Sequence, residues 1–69
     1  MEMDYDSEAD ALSITIKKGV VDRTIELAPE VNLDVDKKGR PLYLEIVAFS
    51  ERIGKKKATK ILQDSLTLA

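Results

Sequence analysis

Between Ala11 and Ile46 apolar side chains return at alternate positions in four successive runs, and this period of two constrains the fold more than any other feature of the chain. Leu12, Ile14 and Ile16 oppose Ser13, Thr15 and Lys17, and Val21, Ile25 and Leu27 oppose Asp22, Thr24 and Glu26. Val31, Leu33 and Val35 then oppose Asn32, Asp34 and Asp36, and Leu42, Leu44 and Ile46 oppose Tyr43, Glu45 and Val47. Successive side chains of a strand point to opposite faces, so each run reads as a strand with one buried face. Met1 to Tyr5 adds a short strand ahead of them, turned by Asp6-Ser7-Glu8-Ala9-Asp10. Arg23 falls on the apolar parity of its run, and its stem is expected at a sheet edge with the guanidinium in water. Pro29 has no N–H to donate to a ladder and ends that run.

From Phe49 the period changes. Ala58, Ile61, Leu62, Ser65 and Leu66 recur at three- and four-residue spacing, which predicts an amphipathic helix from Lys55 to Leu66. Ser50 is expected to cap a short turn before it, with Gly54 separating the two pieces. Adjacent strands joined by short turns favour neighbouring positions in a sheet. The expected fold is therefore α+β: an antiparallel β-meander of four or five strands followed by a C-terminal amphipathic helix. Residues 1–69 form a single domain on this reading, with 1–53 the β region and 54–69 the helical extension.

A chain of 69 residues buries only about 60% of the surface its unfolded form exposes. Tyr5, Tyr43 and Phe49 are its only aromatics and it has no cysteine, so aliphatic packing must supply the core without disulfides. The expected core is Leu12, Ile14, Ile16, Val21, Ile25, Leu27, Val31, Leu33, Val35, Leu42, Leu44 and Ile46.

Asp34 to Glu45 admits a second reading. Asp34, Asp36, Gly39 and Glu45 match positions one, three, six and twelve of a calcium loop. Position five is Lys38, whose ammonium opposes a cation by about 1 to 4 kcal/mol at roughly 4 Å. The flanks alternate with period two where a calcium hand needs helices. A hairpin is expected instead, its loop a type I turn followed by a glycine bulge at Gly39.

The chain has no His and no Cys, which removes the commonest general base, the commonest metal ligand and the thiolate nucleophile together. Gly19, Gly39 and Gly54 stand singly, so there is no phosphate-cradling loop. No enzyme activity, cofactor or metal is expected. Met1 to Asp10 is polar and acidic, unlike a signal peptide, and no apolar run approaches the roughly 20 residues of a membrane span. A cytoplasmic protein without membrane partners is expected.

Tyr5-Asp6 with Glu8-Ala9-Asp10-Ala11-Leu12, and the hairpin from Val31-Asn32-Leu33-Asp34-Val35-Asp36 through Gly39 to Glu45-Ile46, carry a resemblance. Together with Ala48-Phe49-Ser50-Glu51-Arg52, these segments resemble the small prokaryotic family called domain of unknown function 2283, over roughly Met3 to Ile53. The resemblance implies a compact antiparallel sheet and, by analogy with some members, an antitoxin-like role as partner of a small toxin. No catalytic residue is established for the family. Ser13 stands where the family usually has tyrosine, and the lysine-rich segment after Ile53 lies beyond the shared region.

Three sets of residues follow as candidates. Ile53, Ile61, Leu62 and Leu66 offer apolar surface for self-association as a symmetric homodimer through the helix. Thr24, Asn32, Asp34, Tyr43 and Glu45 share the outer sheet parity and form a candidate partner face, making the chain a protein-interaction module. The alternative is nucleic-acid binding through Arg52, Lys55, Lys56, Lys57 and Lys60. That alternative has no interleaved aromatic for base stacking, and the whole chain carries a net charge of -2.

Overall fold

The computed structural model describes residues 1–68, with side chains as far as Asp64. Five strands, β1 (Glu2–Asp6), β2 (Ala11–Thr15), β3 (Arg23–Ala28), β4 (Val31–Val35) and β5 (Pro41–Ile46), precede two helices, α1 (Phe49–Ile53) and α2 (Lys55–Leu68). All neighbouring strands pair antiparallel in one sheet, as the alternation predicts. Gly54 separates α1 from α2 with φ 89°, a conformation in which a Cβ is strained.

The strand order is β1-β2-β5-β4-β3, which corrects the expected meander at one step. β3, β4 and β5 follow one another as hairpins, but β2 pairs with β5 rather than with β3. The connection from Ile16 to Asp22 is too long for a tight hairpin and instead crosses the end of the sheet. Ile16 N and Lys17 N both donate to Leu42 O, at 2.8 and 3.2 Å. Gly19 then passes so close to Leu42 that a Cβ there would lie 3.0 Å from Leu42 Cδ2. Asp22 N donates to Val35 O at 2.8 Å, delivering β3 to the far edge. The result is a Greek-key arrangement.

The register sets Tyr5 beside Leu12, Leu12 beside Ile46, Ile14 beside Leu44, and Leu33 between Leu44 and Ile25, so one face of the sheet is apolar from edge to edge. The helices cover only part of it. Leu12, Phe49 and Ala58 are buried together, with Tyr5, Ile14, Ile46, Ile53 and Leu62 packed around them, so the helical cover lies over β1, β2 and β5. Val35 and Leu42 are the other buried side chains among the described residues, and the crossing connection covers Leu42. Each such aliphatic burial contributes about 1.5 to 3 kcal/mol.

Four expected core residues lie elsewhere. Ile16 and Val21, 42% and 43% exposed, belong to the connection beyond the strand ends, outside the helical cover. Ile25 and Leu27, 39% and 57% exposed, sit on edge strand β3, outside the helical cover, and Leu27 falls in a bulge between Glu26 and Ala28. Phe49 and Ala58 complete the core in their place. Arg23 is exposed on the same edge, as expected, and its guanidinium lies 3.3 Å from the Asp22 carboxylate. Among the described residues no helix is long and apolar enough to cross a membrane.

Candidate functional site

Asp10 joins the first hairpin to the first helix. It sits in the left-handed region with φ 51°, and its carbonyl oxygen accepts the Phe49 N–H at 2.9 Å. Its carboxylate accepts the Ser50 N–H at 3.1 Å on both oxygens, the Ser50 hydroxyl at 2.9 Å and the Tyr5 hydroxyl at 2.6 Å. The Tyr5 ring meets Phe49 edge-on, with centroids 6.0 Å apart. Ser50 is thus not the cap it was expected to be. Ala48 occupies the N-cap at φ 54° without a side-chain bond, and the N–H groups of Phe49 and Ser50 are satisfied by the carbonyl and the carboxylate of Asp10 in the β1–β2 turn.

Electrostatics follows from these donors. The Tyr5 hydroxyl, helped by the Ser50 N–H and hydroxyl, holds Asp10 below its ordinary 3.8 against the opposing effect of desolvation. The same bond, with desolvation, raises Tyr5 above its ordinary 10.0. An ionised carboxylate surrounded by donors and a hydroxyl kept protonated make a clamp between β1, the turn and α1.

The outer face gathers the expected partner residues. Cross-strand pairing sets Thr24 beside Asp34, Asp34 beside Tyr43, and Asn32 beside Glu45, so all five lie together on β3, β4 and β5. Thr24 Oγ1 donates to Asp34 Oδ1 at 2.5 Å, and Ser13 flanks Glu45 on β2. This is a polar, hydrogen-bonded sheet surface.

The helix residues divide. Ile53 and Leu62, expected to carry self-association, pack against the chain's own core; Ile61 is 41% exposed, and the Leu66 side chain lies outside the described residues. The basic set is also split. The Arg52 guanidinium donates to the Pro29 carbonyl, and Lys55, Lys56 and Lys60 border a shallow concavity with Gln63 and Asp64 that Lys57 does not line.

Asp34 to Glu45 is a hairpin. Gly39, at φ 78°, donates its N–H to Asp36 O at 2.9 Å, and Asp36 N donates to Arg40 O at 3.1 Å, the pattern of a type I turn with a glycine bulge. Asp36 Oδ1 accepts the Lys38 and Arg40 N–H groups and Oδ2 accepts Arg40 Nε at 2.7 Å. The Arg40 N–H first, then its guanidinium and the Lys38 N–H, hold Asp36 below its ordinary 3.8. Its oxygens serve the loop. Among the described residues no three His, Cys, Asp or Glu side chains come together as a metal site.

The family model described as protein of unknown function, DUF2283, matches residues 2–50. The chain belongs to DUF2283. No curated protein and no solved structure matches it. The DUF2283 match opens with β1 and closes on Ser50, so it contains the whole Tyr5–Asp10–Ser50 clamp, while α2 and its lysines lie outside. Tyr5, Asp10 and Ser50, which are among the residues that carried the resemblance, therefore have a structural role in this DUF2283 chain.

Two features escaped the sequence reading. Asp10 had no visible link to Ser50, which lies 40 positions away. The tripeptide Lys-Lys-Gly occurs at 17–19 and again at 37–39, and the strand order brings both to one end of the sheet around a groove. That repetition was the available signal.

Proposed function

We propose that this DUF2283 chain is a non-catalytic protein-interaction module that pairs with a second copy of itself through the edge strand β3. The observation that carries this reading is the contrast between the two sheet edges. β1 carries Glu2, Asp4 and Asp6 within five residues, and like charges on an edge oppose pairing with another chain. β3 carries one charge of each sign, Arg23 and Glu26, and shows Ile25 and Leu27 to solvent. Two copies of β3 meeting antiparallel across a twofold axis beside Ile25 avoid charge repulsion and cover apolar surface that the helices leave bare. The bulge at Leu27 limits regular pairing to Arg23–Glu26.

Small size supports the same reading, since a second copy enlarges the core that a short chain cannot build alone. The helical route to a dimer is less well supported, because Ile53 and Leu62 serve the chain's own core. A small toxin as a further partner rests on the family resemblance, with the face around Thr24, Asn32 and Glu45 as its surface; co-purification with the product of an adjacent gene tests it.

Sedimentation equilibrium tests the dimer. The full chain is expected to be dimeric at tens of micromolar, and Ile25→Lys to be monomeric with an unchanged circular dichroism spectrum. A monomeric parent, or an Ile25→Lys variant that stays dimeric, overturns the proposal.

A further inference from the structure

The end of the sheet opposite the Asp10 clamp holds a groove of about 470 Å³. It is lined by Lys17, Lys18 and Gly19 leaving β2, and by Lys37, Lys38 and Arg40 in the β4–β5 turn. Val20 and Val21, 85% and 43% exposed, line it together with the cations, as does buried Leu42. Two carboxylates share the groove, and both are engaged: Asp36 by its own loop and Arg40, Asp22 by Arg23. The four lysines are exposed and outnumber the carboxylates, so the groove is cationic in a chain whose net charge is -2.

We infer that this groove binds a short acidic peptide segment of a protein partner, with an aliphatic side chain against Val20 and Val21 and flanking carboxylates on the two lysine pairs. The inference concerns a surface separate from the β3 edge pairing. Charge complementarity sets the sign of the ligand, and two lysine pairs from separate segments of the chain suit carboxylates on either side of a central residue. The exposed valines choose between the classes of polyanion. A peptide supplies an aliphatic group to cover them, whereas single-stranded nucleic acid relies on aromatic platforms for its bases. The aromatic nearest the groove, Tyr43, is half-buried with its hydroxyl held at Gly19, 3.3 Å from the N–H and 3.4 Å from the carbonyl. The volume also suits a few residues of peptide and is within the range of ligand clefts.

The test titrates the isotope-labelled full chain with a Glu-Glu-Leu-Glu-Glu peptide and follows backbone amides by NMR, with fluorescence anisotropy of the labelled peptide for affinity. Shifts are expected at Gly19, Val20 and Gly39. Lys18→Glu with Lys38→Glu is expected to weaken binding about tenfold. Val20→Ser is expected to weaken the leucine peptide but not a Glu-Glu-Ser-Glu-Glu control, and Lys55→Glu with Lys56→Glu on α2 is expected to leave both unchanged. No shifts at millimolar peptide, shifts centred on α2, or tighter binding of a labelled oligothymidylate at the same salt would each overturn the inference. Equal binding of the leucine and serine peptides would also overturn it, since the valines would then have no part.

Discussion

Tyr5 donates its hydroxyl to Asp10 Oδ1 at 2.6 Å, and through that bond the first strand holds the residue that caps the first helix. The bond couples two titrations of opposite consequence. Asp10 has its folded pKa depressed below 3.8, so its contribution is complete above that value and is lost as pH falls through the folded pKa. Tyr5 has its folded pKa raised above 10.0, so its contribution is complete below that value and is lost as pH rises through the folded pKa. Asp36 is depressed in the same direction as Asp10 and adds to the acid limb. Urea denaturation across pH is therefore expected to show declines at both extremes. In Asp10→Asn the alkaline limb flattens and the acid limb keeps only the Asp36 share; a parent stability that is level from acid to alkali refutes the coupling.

Phe49 is the buried aromatic between the sheet and the helices, and it touches the Tyr5 ring. Phe49→Ala leaves a cavity that nearby Leu12 and Ala58 are too short to fill, and a loss of about 3 to 5 kcal/mol is expected. For a chain of this size that approaches the whole stability, roughly 3 to 10 kcal/mol. A urea midpoint little changed from the parent would show that Phe49 is not the keystone of the core.

Ala48 holds a left-handed conformation, φ 54° and ψ 44°, where its Cβ is strained. Glycine relieves that strain at a smaller entropic cost, so Ala48→Gly is expected to stabilise the fold by about 0.5 to 1 kcal/mol. The converse change, Gly39→Ala at φ 78°, is expected to destabilise by about 1 kcal/mol. Thermal melts of the two variants should move in opposite directions.

Gly19→Ala probes the crossing that sets the strand order. Its backbone is not left-handed, so the effect comes from the Cβ meeting Leu42 Cδ2 at 3.0 Å. A loss of about 1 to 3 kcal/mol is expected from overpacking. Replacing Leu42 by Val in the same chain should recover part of it, and a double-mutant cycle without coupling would argue against the contact.

Calcium is expected to leave the Asp34–Glu45 hairpin unchanged, because the Asp36 oxygens already accept Lys38 and Arg40 donors and Asp34 accepts Thr24. Calorimetric titration checks this. Tight binding that Asp34→Ala abolishes would contradict the reading.

The alternation by itself determined which side chains of β2, β4 and β5 face inward, because the direction of a Cβ along a strand is a local property. Leu12, Val35 and Leu42 are buried on the parity the pattern assigned, and Gly39 turns the hairpin where its freedom of φ is needed. The start of α2 at Lys55 was legible for the same reason, since a change of period needs no knowledge of neighbours. Neighbours were decided only by tertiary structure. Nothing in the local pattern of β2 prefers β5 to β3; the docking of residues 16–22 on Leu42 makes that choice. Once made, it left Ile25 and Leu27 outside the helical cover, brought the Asp10 carboxylate to Ser50, and placed both Lys-Lys-Gly segments at one end of the sheet. A pattern of two or 3.6 residues specifies a face, but contacts between distant segments form only when the folded chain repays the entropy of closing the loops between them.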